Sequence, residues 1–473
     1  MRAPHLNVGV FLLTGVLLGC HSVGREPSRG TKASYSPIPV RQVSSLKTSS
    51  SNNNDGVDLA AKAAQDDSDK YEASIKELLT QGKFDDLDKL ASAARLSKSK
   101  SPGGNWTLFQ IYEGLAAPQA HGAKQTEQDW ADHLASLQRW VSVRPGSVTA
   151  RIALAEAYVN YAWFARGTEY ANEVASEQWK LFDQRLNLAR ENLQQAWALK
   201  EQCPHWFYVM QNVQFGLHEG DPSALLKRAM AFEPSYYYYY SREAHYLMPK
   251  WYGNEGDAAR FAEMIADKIG GNEGDFVYFL VAARLNCNCQ DDETELKNMS
   301  WPRIMRGFSF MERAHGTNMH RLNQFARLAT AFSDAPAAQR TFTRIGENWE
   351  SDAWGTQRFF EDCKNWAKRS ESISAAVAAN LETAEGQQYD GQIASAFQER
   401  FGRVIIECVT LGGKDAGKFD MFLRIGKEGK VEQYAAWPAT TVNACLTPKV
   451  TSATFPLPPK ASYWIKISMN VSP

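Results

Sequence analysis

From Asp58 to about Arg369, large apolar side chains return every three or four residues and almost nowhere every second residue. That spacing lays one stripe along a helix, so this part of the chain can bury its apolar groups only by packing helices together. The stripe is clearest in Trp179, Phe182, Leu186, Ala189, Leu193 and Ala196. Breakers interrupt the pattern at intervals of one helix or one helical hairpin: Pro102-Gly103-Gly104, Arg144-Pro145-Gly146, Cys203-Pro204, Asp221-Pro222, Glu233-Pro234, Gly253 to Gly256, Gly270-Gly271 and Ala335-Pro336. A series of helical hairpins follows. With 44% hydrophobic and 12% aromatic residues in 473, the chain has the material for two or three folded units. A net charge of −1 provides no general attraction to nucleic acid, which is not expected as a partner.

The hairpins resemble tetratricopeptide-type repeats. Leu154-Ala155 with Tyr158 fits a first helix, Ala189, Leu193, Ala196 and Pro204 fit a second, and Ala229 with Pro234 repeats the closure. The period is irregular, and Gly167 to Ser176 interrupts it as an insertion. Two longer stretches, Arg139 to Gly167 and Ala231 to Asp257, resemble a bacterial helical family known only as a domain of unknown function. The shared elements are Pro145 with Ser147, the Ala162-Trp163 to Arg166-Gly167 motif, and Trp251-Tyr252-Gly253 followed by Gly256-Asp257. The resemblance spans roughly Lys76 to Gly271 and implies a fold without an activity.

The pattern changes after about Ala379. A polar stretch, 380–390, reads as a linker, and Ile393, Phe397, Phe401, Val404, Ile405 and Cys408 then mark one more helix. Phe419, Met421, Leu423 and Ile425 alternate, Gly426 to Gly429 turns, and Val431 to Trp437 returns as a hairpin. Thr441 to Val450 reads as a short helix despite Pro448, and Tyr463, Ile465, Ile467 and Met469 as a third strand. The expected fold class is therefore mostly α, a helical-repeat body over 58–379 followed by a small α+β domain of order α-β-β-α-β over 391–473.

That order, with Ile425 to Val431 in the hairpin and Phe455-Pro456 before the last strand, is similar to the C-terminal domain of TonB-like periplasmic proteins. The Cys-containing variety found in gliding-motility and related envelope proteins is nearest. The resemblance implies a partner-docking module. The transmembrane helix that energy transducers need is missing from the pattern, so it does not imply energy transduction. With Cys20 set aside, six cysteines remain and allow 15 full pairings. A Cys408–Cys445 bridge, joining the two helices of this module, is the preferred one.

The N-terminus bears on location. Arg2, the apolar run Val8 to Leu18 and then Leu17-Leu18-Gly19-Cys20 have the order of a secretory signal. Eleven helical residues reach about 16 Å, short of a hydrocarbon core of about 30 Å. Leu-Leu-Gly-Cys resembles the lipobox of bacterial lipoproteins, which implies removal of 1–19, a lipid on Cys20 and membrane attachment through it. His21 follows where Asp would retain such a protein in the inner membrane, so the implied place is the outer membrane facing the periplasm. Residues 20–57, rich in Ser with an Asn52 to Asn54 triplet, read as a disordered tether.

Motifs for chemistry are sparse. Gly412, Gly417 and Lys418 have phosphate-loop spacing, but Phe419 stands where Ser or Thr should meet Mg²⁺. Cys287 and Cys289 lack a second pair for zinc, and His315 and His320 lack the helical spacing of a zinc pair. No metal, cofactor or catalytic residue is assigned. Trp206, Tyr236, Tyr240, Trp251 and Tyr252 are the candidate binding residues, expected on a concave face near the Gly253 to Gly256 turn. The expected function is a lipid-anchored cell-envelope scaffold or adaptor that binds protein or peptide partners. The alternative is an envelope enzyme acting on glycan or peptide, which two convergent carboxylates in an aromatic cleft would favour.

Overall fold

The computed structural model describes residues 57–119, 125–167, 173–286, 295–332, 334–412, 418–437 and 441–470. The signal segment, Cys20 and the tether lie outside them, as do Cys287, Cys289 and Gly417. No helix among the described residues is long and apolar enough to cross a membrane. The chain divides into two compact units, one built on residues 58–322 and the other on 323–473.

The first unit is helical throughout its described residues, apart from one isolated β-bridge between Lys100 and Trp106. Its centre is the helix Val148–Arg166, buried on nearly every side from Val148 to Val159. Ser147 starts that helix, its Oγ accepting from Ala150 N at 2.9 Å, and Gly167 stops it at a φ of 77°. Helix Ser176–Trp197 lays the stripe Phe182, Leu186, Ala189, Leu193 and Ala196 against it, with all five buried and Trp179 only half-buried. Helix His205–Leu217 closes on the same stripe. Gly216 makes that approach possible, because a Cβ there would lie 2.4 Å from Leu186 Cδ1. Helices Pro222–Phe232 and Tyr238–Tyr246 both pack on His205–Leu217, and Asp257–Ile269, Gly271–Leu285 and Trp301–His315 then follow in series from Tyr238–Tyr246. At the start, helix Leu59–Thr80 also packs on Thr107–Leu115 and Glu127–Val143. Those contacts join one helical hairpin to the next along the chain, as in a stacked array.

The second unit contains helices Ala335–Ile345, Ser351–Trp354, Gln357–Leu381, Ala384–Gly412 and Thr441–Thr451 with three strands, β1 (Lys418–Gly426), β2 (Val431–Trp437) and β3 (Ser462–Asn470). The sheet is antiparallel with order β2-β1-β3, and the α-β-β-α-β order is the one read from the sequence. Phe419, Met421, Leu423 and Ile425 join Tyr463, Ile465, Ile467 and Met469 in a core with Ile393, Phe397, Phe401 and Ile405. The short helix runs through Pro448.

One boundary needs correction. The stretch 380–390 is not a linker: helix Ala384–Gly412 begins inside it, leaving only Glu382 and Thr383 outside helix. The preceding helix belongs to the same unit as the sheet, since Asn380 Nδ2 donates to Trp464 O at 3.0 Å and Tyr463 Oη donates to Asn380 O at 3.2 Å. Gly386 is packed so closely on Asn380 O that no Cβ fits. Polarity misled because Glu385, Gln387 and Gln388 lie on the exposed side of a helix whose buried side is Gly386 and Tyr389.

Candidate functional site

The five aromatic residues do not form the exposed face expected of them. Tyr236, Tyr240 and Trp206 are buried, Trp251 is half-buried, and only Tyr252 is well exposed, at 52%. Helix Tyr238–Tyr246 begins in the middle of the tyrosine run, so Tyr236 and Tyr237 sit in its lead-in turn and all five rings spread around the axis. The buried rings are anchored by their hydroxyls. Tyr236 Oη is 2.8 Å from His205 Nδ1, and Tyr240 Oη donates to Pro234 O at 2.8 Å. Tyr237 Oη donates to Gly104 O, Tyr238 Oη accepts from Trp106 N at 2.9 Å, and Tyr239 Oη donates to Glu233 O. Trp206 Nε1 donates to Leu193 O at 2.7 Å. Core packing that satisfies the polar tip accounts for Trp206 and Tyr236 to Tyr240, whereas Trp251 Nε1 is buried with no partner. Tyr252 is different, with its hydroxyl 2.9 Å from His218 Nδ1 at the surface.

The structure instead gathers titratable groups beneath that aromatic layer. Glu156 lies on the buried central helix at 5% exposure, and its Oε2 is 2.8 Å from His205 Nε2. Burial is the first cause that holds the Tyr236 phenol protonated far above its usual range, which keeps an O–H beside His205 Nδ1 while Nε2 faces Glu156. Tyr112 stacks on the imidazole with centroids 4.1 Å apart and planes 1° from parallel, and its hydroxyl is 3.5 Å from Cys203 Sγ. Phe109 meets the imidazole edge-on at 5.4 Å.

Glu113, next to Tyr112 on helix Thr107–Leu115, is half-buried. Burial, followed by the charges of Glu156 and Glu72, drives its carboxyl well above the ordinary range, against the opposing pull of Arg242 and Lys76. Two neighbours are already engaged: Lys76 Nζ lies 2.6 Å from Glu72 Oε1, and Arg242 Nη2 donates to Tyr208 Oη at 3.0 Å. The Arg242 guanidinium also sits 5.4 Å from the Tyr208 ring centroid. The result is a mixed patch with Glu113, Tyr208 and Arg242 at its half-buried rim and Glu72, Glu156 and His205 inside.

Sequence reasoning named none of these residues. Glu156 carries a local signal, a carboxylate on an otherwise apolar helix face between Ala155 and Ala157. His205 and Glu113 carry none, because their partners come from other helices. Among the described residues no group of three or more His, Cys, Asp or Glu is placed to hold a metal ion. His315 and His320 are half-buried, and burial, helped by Lys100, lowers His315 to about 4. In the second unit Cys408 and Cys445 are joined in a disulfide with Cα atoms 5.6 Å apart, tying helix Ala384–Gly412 to helix Thr441–Thr451. Cys203 and Cys363 are buried.

With this geometry in view, one family model matches: residues 71–219 fit a domain of unknown function, DUF4034. The match contains Glu72, Glu113, Glu156 and His205 and ends before Tyr236 and Arg242. It is shorter at its C-terminal end than the stretch from Lys76 to Gly271 read from the sequence. No curated protein and no solved structure matches the chain.

Proposed function

We propose that this chain is a lipid-anchored scaffold or adaptor of the bacterial cell envelope, tethered through Cys20, whose helical body and TonB-like C-terminal module each bind a protein or peptide partner. The patch around Glu113 is the docking point on the body. The carrying observation is that half-buried Glu113 has no hydrogen bond or ion pair to its carboxyl among the described residues, while a cationic rim residue, Arg242, stands nearby. Such a patch can offer both signs of charge and a phenol to an incoming polypeptide.

The enzyme reading is supported by one observation, a proton-holding carboxyl (Glu113) beside a second carboxylate (Glu156), the pairing that general acid chemistry uses. Binding remains the better account because Glu156 is sealed under His205 and Glu72 is held by Lys76, leaving Glu113 as the one carboxyl of the three without a bonded partner among the described residues.

The test is site-specific photocrosslinking in the native envelope from position 208, followed by identification of the captured protein. Glu113→Gln and Arg242→Ala should each weaken capture at least tenfold, while a distant exposed substitution such as Leu96→Ser should not. Cys20→Ala should leave an unprocessed precursor or a protein released from membranes. Unchanged capture in both patch variants refutes the docking point, and normal membrane fractionation of Cys20→Ala refutes the anchor.

A further inference from the structure

Glu243, on helix Tyr238–Tyr246, is only 9% exposed, and no ion pair reaches it among the described residues. Its one side-chain partner is Gln211 on helix His205–Leu217, itself fully buried. Gln211 Nε2 uses both of its protons, one on Tyr239 O at 3.3 Å and one on Glu243 Oε2 at 3.1 Å. The bond to Tyr239 O fixes which way the amide points, since a flip would turn its carbonyl against that backbone carbonyl. Gln211 Oε1 is then left buried with no partner. A buried carboxyl without a cation and a buried acceptor without a donor, on the same two side chains, share one remedy: a proton on the carboxyl that reaches the orphan oxygen.

We propose that Glu243 is protonated in the native protein and forms a reciprocal acid–amide pair with Gln211, making this contact a proton-dependent latch. It joins a helix inside the matched domain, which ends at residue 219, to a helix beyond it. Charged groups on the elements packed around helix Tyr238–Tyr246 are directed elsewhere. Glu233 is held by Lys98, Asp257 by Arg260, and Glu263, Asp267 and Asp275 by Arg303. Arg242 bonds Tyr208, and Arg284 and Lys250 act on His245, which is buried and lowered. On the facing helix, His205 is engaged by Glu156 and Tyr236.

Burial raises the Glu243 carboxyl from its ordinary 4.5 to about 7, against a lowering by Gln211. A folded value above the unfolded one means that the latch is fully present below the unfolded value and is lost as pH rises toward and through the folded value. The experiment is hydrogen exchange by mass spectrometry on the full chain at about pH 5.5 and about pH 8.5, corrected for intrinsic exchange. The opening equilibrium of the peptides covering 205–217 and 238–246 should rise about 30-fold between those two conditions, the ratio that values of 4.5 and about 7 imply. Glu243→Gln, whose amide supplies the missing donor at any pH, should abolish that rise and protect both helices better than the native chain at the higher pH. No pH-dependent opening in the native chain overturns the latch, and that measurement stands even where the variant fails to fold. An unchanged rise in a folded Glu243→Gln protein also overturns it.

Discussion

The first unit and the C-terminal sheet close their cores by different chemistry. Around His205 the first unit buries a carboxylate, an imidazole, phenols and a thiol, and each tyrosine hydroxyl of the run from Tyr236 to Tyr240 finds a partner. Behind the sheet of the second unit the core is almost wholly hydrocarbon, closed by the Cys408–Cys445 disulfide. The difference is instructive about how each is specified. Helices can slide past one another on an apolar stripe with little loss, and directional bonds between them penalise every wrong register. A strand register is already set by its ladder, because a one-residue slip would turn Met421, Leu423 and Ile467 to the opposite face. A small module then needs a crosslink more than it needs buried polarity.

The largest effect should come from breaking the polar side of that contrast. His205→Ala strands a buried carboxylate and a buried phenol together, and should destabilise the first unit by about 3–5 kcal/mol in denaturant unfolding. Replacing Glu156, His205 and Tyr236 at once by Leu, Leu and Phe should recover most of that loss while relaxing the helix packing, seen as broader near-ultraviolet dichroism. Recovery with unchanged packing would show that the network adds no specificity.

Next in size is the crosslink. Cys408→Ser with Cys445→Ser should lower the stability of the second unit by about 3–4 kcal/mol, with no change in exchange protection of residues 148–217. A change in both units would mean that they do not unfold separately.

A smaller effect, about 1 kcal/mol, is expected from Asn380→Ala, which removes the bond to Trp464 O. Raised exchange confined to β3 and helix Gln357–Leu381 would confirm that this helix stabilises the sheet. An effect below measurement would return the boundary to the break at residues 382–383.

The smallest should be Tyr252→Ala, within about 0.5 kcal/mol of the native chain, because this ring is mostly in solvent. A large destabilisation would show that Tyr252 belongs with the buried tyrosines after all.

Residues near in sequence determined a good deal here by themselves. The three-and-four spacing of Phe182, Leu186, Ala189 and Leu193 required a buried helix face, and the two-residue alternation of Phe419 to Ile425 and Tyr463 to Met469 required strands. Both signals are local, since side-chain direction repeats with the backbone geometry of each element. Pairing Cys408 with Cys445 was within reach for a similar reason, as the two cysteines flank a single hairpin. Tertiary structure alone decided which tyrosines were core, that residues 380–390 continue the fold, and that Glu113, Glu156 and His205 meet. Glu156 and His205 are 49 residues apart and on different helices, and no pattern within either helix encodes the rotation that brings them to 2.8 Å. Exposure and protonation are properties of that assembled neighbourhood, because burial, opposite charge and a hydrogen-bond partner all come from side chains distant in sequence.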